Sequence, residues 1–313
     1  NVLMNEIKNK NMALPAMHIN PQPPGQVYEF ENLEELRSFD DKYKENSGNV
    51  ALELIAKVFD IPQSHIRGLR TLKAGMTNKS FLFEVNDQSY ICRIPGKGTD
   101  VLIDRKHEYD SYMAVKELHI TEKIIYFDKE SGYKISKFYE GSRNADPKDT
   151  KEMNRCIELL KSLHDKHIQV GHSFDIAERI KYYTELCKES GGISFEDVAF
   201  VQKNMKILLD DLDNMKSQTC LCHIDSVADN FIITADNRIK LIDWEYAGMS
   251  DEANDFGTFA VCCELSEDEA NKAIDYYFGR AATTKERRHF WSYVVFAGWC
   301  WYLWSLVKEA EGE

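Results

Sequence analysis

The sequence predicts an α+β fold of two lobes, a five-stranded antiparallel sheet with one long helix followed by a mainly helical lobe. Three observations carry this. The chain has 313 residues, too many for one small core and suited to two lobes or one large domain. Short apolar runs separated by turn residues dominate from 66 to 138. Beyond residue 141 the apolar spacing becomes helical. The expected division is an arm or linker over 1–48, a first lobe over 49–140 and a helical lobe over 141–313, joined near 139–142.

The elements follow in order. Asn20 to Gly25 (NPQPPG) is a breaker cluster. Val27 to Tyr43 (VYEFENLEELRSFDDKY) reads as a short strand and an acidic helix. The chain begins without Met, and a fragment of a longer chain is expected. From Asn49 a helix (ALELIAKVF) leads to Pro62. Ile66 to Lys73 is the first strand, followed by the loop Ala74 to Ser80. Phe81 to Val85 and Ser89 to Ile94 are strands around an Asn86-Asp87 turn. Asp104 to Leu118 is an amphipathic helix whose first residue can cap free N–H groups. Ile124 to Phe127 and Tyr133 to Phe138 complete the sheet around Glu130-Ser131-Gly132. After Glu140-Gly141 come helices, beginning with Lys151 to His164 and Phe174 to Cys187.

Composition narrows the function. Asp plus Glu number 52 against 39 Lys plus Arg, a net charge of −13. Duplex DNA binding rests on basic phosphate-neutralising patches, so nucleic acid is excluded as a partner. A cationic small molecule suits an acidic protein. The first residues (NVLMNEIKNK) are polar and do not form a signal peptide, so the eight cysteines read as reduced and the protein as cytoplasmic. Cys220-Leu-Cys222-His223 has C-x-C rather than C-x-x-C spacing and reads as buried strand cysteines rather than a metal cluster. Phe290 to Val307 is 18 residues without a charge, the minimum for a membrane span. Its tryptophans crowd the middle and two serines interrupt it, so it reads as a buried helix of a soluble core.

The chemistry concentrates in Cys222-His223-Ile224-Asp225-Ser226-Val227-Ala228-Asp229-Asn230 and Leu241-Ile242-Asp243-Trp244-Glu245-Tyr246. Phe231–Thr234 and Ile239–Ile242 are apolar runs around Ala235 to Arg238, read as a four-residue turn. Pairing 234 with 239 sets Asn230 opposite Asp243, with Cβ atoms about 4.5–5.5 Å apart. Their oxygens can then share a hard cation such as Mg²⁺. Asp225, on the loop entering the hairpin, can face an attacking hydroxyl. The plainer alternative is Asp and Asn scattered on a solvated hairpin.

This HxDxxxxN…IDxE arrangement resembles the phosphotransferases of the protein-kinase-like fold, the choline/ethanolamine kinase and aminoglycoside phosphotransferase superfamily. The resemblance covers roughly 50 to 310. IDWEYAGM with Asp255-Phe256 looks like the choline kinase branch, close to bacterial LicA-type enzymes. It implies Asp225 as catalytic base, Asn230 and Asp243 as Mg²⁺ ligands, and His223 and Asp255 as structural support. Asp255 would be a buried anchor accepting hydrogen bonds from the catalytic loop, and a helix cap is the equal alternative.

The first lobe agrees. The loop from Gly75 through Thr77, Asn78 and Ser80 can turn N–H groups and hydroxyls toward phosphates. Arg93 stands where a protein kinase has its phosphate-binding lysine and choline kinase relatives have arginine. Its guanidinium can bridge phosphate and carboxylate, and Glu108 is the natural partner. Unrelated surface charges are the alternative for this pair. The backbone near Lys137 is expected to contact adenine at the hinge.

Trp291, Trp299, Trp301 and Trp304 lie within 14 residues, and Trp301 and Trp304 share a helix face. LWSLVK resembles the choline kinase helix whose two tryptophans box the trimethylammonium. A quaternary ammonium has no N–H, so aromatic faces and carboxylates must hold it. Glu245, Tyr246 and Asp225 are further candidates, and packing alone is the alternative for the tryptophans. Val27 to Tyr43 resembles the tail of bacterial nucleotidyltransferase domains. A covalently fused upstream cytidylyltransferase domain would explain it, and so would a plain arm. The expected reaction is transfer of the ATP γ-phosphoryl group, with Mg²⁺, to choline to give phosphocholine. The alternatives are ethanolamine or another amino alcohol, an aminoglycoside, or a non-catalytic kinase-like binding module. The complete set Arg93, Asp225, Asn230 and Asp243 argues against the last. The arm is expected to be dispensable for phosphoryl transfer.

Overall fold

The computed structural model describes residues 33–39, 48–72, 78–96, 103–215 and 218–311. Gly75, Thr77 and all of Val27 to Tyr43 except 33–39 lie outside the described residues. The first lobe is a five-stranded antiparallel sheet of β1 (Arg67–Thr71), β2 (Asn78–Val85), β3 (Gln88–Pro95), β4 (Ile124–Phe127) and β5 (Lys134–Lys137), in the order β1-β2-β3-β5-β4. Asn86 and Asp87 join β2 to β3 with φ of 51° and 57°, the two left-handed residues that a type I′ hairpin turn requires. The strand period of two then divides the sheet. Phe83, Val85, Tyr90, Cys92 and Ile135 pack with Leu52 and Ile55 of the helix Val50–Phe59. Ser80, Ile91, Arg93, Lys134 and Ser136 face a cleft toward the second lobe.

The second lobe is mainly helical but holds two small sheets. β6 (Arg143–Asn144), β8 (Phe231–Ile233) and β9 (Ile239–Leu241) form one, and β7 (Thr219–Cys222) with β10 (Gly248–Asp251) the other. Cys220 and Cys222 are buried on β7 with their sulfurs 3.9 Å apart.

The helix Thr284–Glu311 is long and apolar enough to cross a membrane, yet half of its apolar window is buried inside the protein. Phe290, Tyr293, Phe296, Cys300, Leu303 and Val307 form a buried stripe at helical spacing. The helix lies against Glu252–Cys262 at Gly257, where an added Cβ would stand 2.4 Å from the Tyr293 carbonyl oxygen. Only glycine permits so close an approach.

One expectation needs correction. The hairpin register is one residue off the expected pairing. Phe231 pairs with Leu241 and Ile233 with Ile239, while Thr234 N–H donates to the Arg238 carbonyl at 2.9 Å. Asn230 therefore faces Ile242, whose N–H donates to its carbonyl at 2.9 Å, and not Asp243. The cause is a three-residue loop, Ala235 to Asn237, closed by Asn237 at φ 59°. Within the span 1–48 the expected acidic helix is present. Leu33–Phe39 is a helix beside β1. Arg37 is buried and donates to the carbonyls of Ile66 (2.6 Å) and Gln63 (2.5 Å). Glu34 accepts the Gly68 N–H at 3.0 Å, where β1 bulges.

Charge-assisted bonds to buried carbonyls are individually strong, so Arg37→Ala should cost about 1–3 kcal/mol. The thermal midpoint should fall by several degrees in calorimetry. An unchanged midpoint would mean that the helix merely rests on the sheet.

Candidate functional site

Between the lobes lies a cleft of about 420 Å³ with Arg93, Lys134, Ser136, Ile232, Ile242 and Asp243 among its walls. Its floor is an ionic network. Arg93 grips Glu108 with both terminal nitrogens, the second at 2.9 Å, and also donates to the Gly132 carbonyl at 3.0 Å. Glu108 sits three residues into its helix (Arg105–Val115), which Asp104 caps through the N–H groups of Lys106 and His107. The Glu108 carboxylate is fully buried. Burial works to raise it, but Arg93, Lys134 and Arg105 together hold it below the ordinary carboxylate range.

Asp255 shapes the loop that follows β7. It lies inside the helix Glu252–Cys262, whose N-cap is Asp251, so the helix-cap alternative fails. Its carboxylate accepts the N–H groups of His223 (2.9 Å) and Ile224 (2.5 Å), and His164 Nε2 at 2.9 Å. Ile224 takes φ 72°, which turns the chain so that Asp225 leaves the loop toward the hairpin. His223 Nε2 donates to the Ile242 carbonyl at 2.9 Å. Burial pushes its imidazole down to about 4, so the ring is neutral.

Asp225 is half-buried and receives the Asn230 amide at its Oδ2 (2.9 Å) and its own carbonyl (2.8 Å). Burial, reinforced by the nearby Glu245 charge and opposed by the Asn230 hydrogen bond, pushes its carboxyl up to about 7. Asp243 stands at φ 66°. Neighbours on a strand normally alternate faces, yet Ile242 and Asp243 both line the cleft, and the left-handed residue accounts for this. Its Oδ1 is buried, has no hydrogen-bond partner and lies 3.9 Å from Arg93. Burial and Glu245 raise this carboxyl, against the pull of Lys134 and Arg93.

Other expected residues are placed differently. Asn78 donates to Glu245 at 2.9 Å, and Arg105 reaches Glu245 at 3.3 Å and the Asn78 oxygen at 3.2 Å. Asn78 and Glu245, expected at the phosphates and the substrate, thus meet each other in one bridge between the lobes. The Lys137 N–H is spent on the Lys123 carbonyl (2.9 Å) and the Phe138 N–H on Ser89 (3.0 Å). The sheet ladder therefore removes these two donors from any contact with a base.

The aromatic residues do gather. Tyr246 meets Trp301 at 5.4 Å and 83°, and Trp301 meets Trp304 at 6.0 Å and 80°. Both tryptophans are half-buried, and the Trp301 indole N–H is tied to Thr258 at 3.0 Å. Trp299 is instead buried against Phe195. Sequence reasoning missed Arg105, Tyr112, Glu122, Lys134 and His164. Lys134 had a readable signal, since the sheet pairs it directly with Arg93. His164 ends an ordinary amphipathic helix and had none.

Comparison with known proteins gives concordant matches. A family model described as choline/ethanolamine kinase matches residues 69–296. Protein LicA of Haemophilus influenzae is 23% identical over 254 residues, covering 76% of this chain and 73% of that one. The crystal structure of choline kinase LicA from Streptococcus pneumoniae aligns with a TM-score of 0.72 at 26% identity, over 83% of this chain and 90% of that one. A structure of LicA in complex with AMP gives 0.66, also at 26% identity, over 79% and 87%.

The Asp225 carboxyl carries a stability signature. Its folded-state value of about 7 lies above the ordinary 3.8, so the fold disfavours the ionised form. The associated stability is whole below the ordinary value, is lost as pH rises to about 7, and stays lost above that. Asp225→Asn should therefore melt above wild type at about pH 8, with the gap closing toward about pH 4. A gap of equal size at both ends would show that the carboxyl is not desolvated.

Proposed function

The chain belongs to the choline/ethanolamine kinase family, and from that premise we propose that it transfers the γ-phosphoryl group of ATP to the hydroxyl of choline. The family makes it a small-molecule kinase-like enzyme with a protein-kinase-like fold. The observation that carries choline is the corner of Tyr246, Trp301 and Trp304, whose nearly perpendicular rings offer π faces to a cation without N–H groups. The cleft beneath β3 and β5 suits the nucleotide, and the relative seen with AMP supports that reading.

Asp225 would orient the choline hydroxyl and take its proton as the oxygen attacks the γ-phosphorus. The bond from phosphorus to the bridging oxygen breaks, and ADP leaves. A carboxyl near 7 is well matched to a base at neutral pH. Arg93, already fixed by Glu108, keeps a buried Nε without a hydrogen-bond partner for a phosphate oxygen.

The residues fit a divalent cation. Asp243 Oδ1 is buried and unpartnered, and Asn230, having spent its amide nitrogen on Asp225, retains an oxygen. These two residues would hold Mg²⁺. Bound there, it would neutralise charge on the phosphate oxygens.

Asp225→Asn should retain nucleotide binding and lose about 10²–10⁴-fold in kcat. A steady-state assay over choline, ethanolamine and an aminoglycoside tests the substrate. Choline should have the highest kcat/KM, and turnover should stop with EDTA. Preferential turnover of an aminoglycoside would remove the proposal. Trp304→Ala should raise the KM for choline far more than that for ATP, since the lost contact touches only the cation. A lower melting temperature with unchanged choline KM would assign Trp304 to packing alone.

A further inference from the structure

Asp243 needs something to hold it at φ 66°, a conformation that residues with a β-carbon rarely adopt. One contact addresses its backbone directly. The Asp243 N–H donates to the hydroxyl of Tyr112 at 3.2 Å. Tyr112 lies on Arg105–Val115 and is 1% exposed. The same oxygen lies 2.7 Å from Glu122 Oε1 and 2.5 Å from Lys134 Nζ. Lys134 and Glu122 also meet at 3.0 Å. Thr121 donates to the other Glu122 oxygen at 2.5 Å.

These partners leave the phenol one arrangement. An ammonium and a backbone N–H can only donate, and an ionised carboxylate can only accept. The hydroxyl proton must point to Glu122, so the lone pairs face Lys134 and Asp243. Tyr112 thus presents a fixed acceptor to the Asp243 backbone, from a cluster built on β5, a helix and the segment between them. Glu122, Lys134 and Asp243 line the nucleotide cleft together.

We propose that Tyr112, oriented by Glu122 and Lys134, is a positioning residue that keeps the Asp243 carboxylate aimed into the cleft. This rests on the reading of Asp243 as the residue that holds the divalent cation. It differs from a packing role of the Tyr112 ring, which lies against Phe127 (5.7 Å) and Trp244 (6.4 Å) and would survive loss of the hydroxyl.

The test uses the full chain and Mn²⁺ as probe. Its binding in the presence of a non-hydrolysable ATP analogue is followed by loss of the free-ion paramagnetic resonance signal. Tyr112→Phe keeps the ring and should weaken Mn²⁺ binding about ten-fold, as for loss of one well-placed hydrogen bond. The KM for the amino alcohol should stay at the wild-type value. If Tyr112→Phe folds poorly, Glu122→Gln decides, with an expected weakening of about three-fold from the less firmly held phenol. Wild-type Mn²⁺ affinity in the folded variant, while Asp243→Ala has lost the ion, overturns the positioning role and leaves the metal reading intact. Wild-type Mn²⁺ affinity in Asp243→Ala overturns both.

Discussion

The buried carboxylate of Asp255 organises the part of the molecule that holds Asp225 and Asp243. A charge removed from water must be met by donors or it destabilises the fold. Here two successive backbone N–H groups and His164 meet it. Burial pushes the Asp255 carboxyl up, and His164 pulls it back below its ordinary value. Two adjacent N–H groups can converge on one carboxylate only if the chain turns sharply, and Ile224 supplies the turn. His223 is then placed to bond the Ile242 carbonyl, which ties the loop to the end of the hairpin. Asp225 and Asp243 are thereby referred to one fixed point, although they stand 18 positions apart in sequence.

Around that point the charges are unevenly matched. Glu108 is met by Arg93 and Arg105 at hydrogen-bond distance, and Lys134 stands 3.9 Å away. Glu245 is met by Arg105 and Asn78. Asp225 and Asp243 are left with weaker compensation, and burial pushes both upward. The polypeptide therefore completes the circuit for its supporting carboxylates and leaves an open demand for positive charge at the two that face the cleft. Such an imbalance costs stability and is the usual mark of a site that expects charged ligands.

Much of the first lobe was legible because its signals are local. The alternation of β2 and β3 and the Asn86-Asp87 pair fix a hairpin with little help from the rest of the chain. The second hairpin was harder. Its strands were recognised, but whether Asn237 closes a three-residue or a four-residue loop is settled by one left-handed φ, and the register moved with it. Asp243 still reaches the cleft because its own backbone departs from strand geometry, which no alternation rule foresees. Glu245 was read as a substrate candidate from its place in the IDxE motif, and only the fold shows that Arg105 engages it. Leu33–Phe39 was legible as an acidic helix, but nothing local in its seven residues showed that Arg37 would anchor it to the Gln63 and Ile66 carbonyls.

The aromatic corner draws its walls from distant stretches of chain. Tyr246 follows the hairpin directly, whereas Trp301 and Trp304 stand late in the helix Thr284–Glu311. During synthesis the residues of the interlobe cleft, the anchored loop and the hairpin all leave the ribosome before those tryptophans exist. On the proposed reading, a nascent or clipped chain lacking that helix would possess the phosphoryl-donor side of the enzyme without the acceptor side. On the same reading, commitment to an acceptor would wait until the helix has docked against Gly257, so that the docking which completes the core would also complete the selectivity.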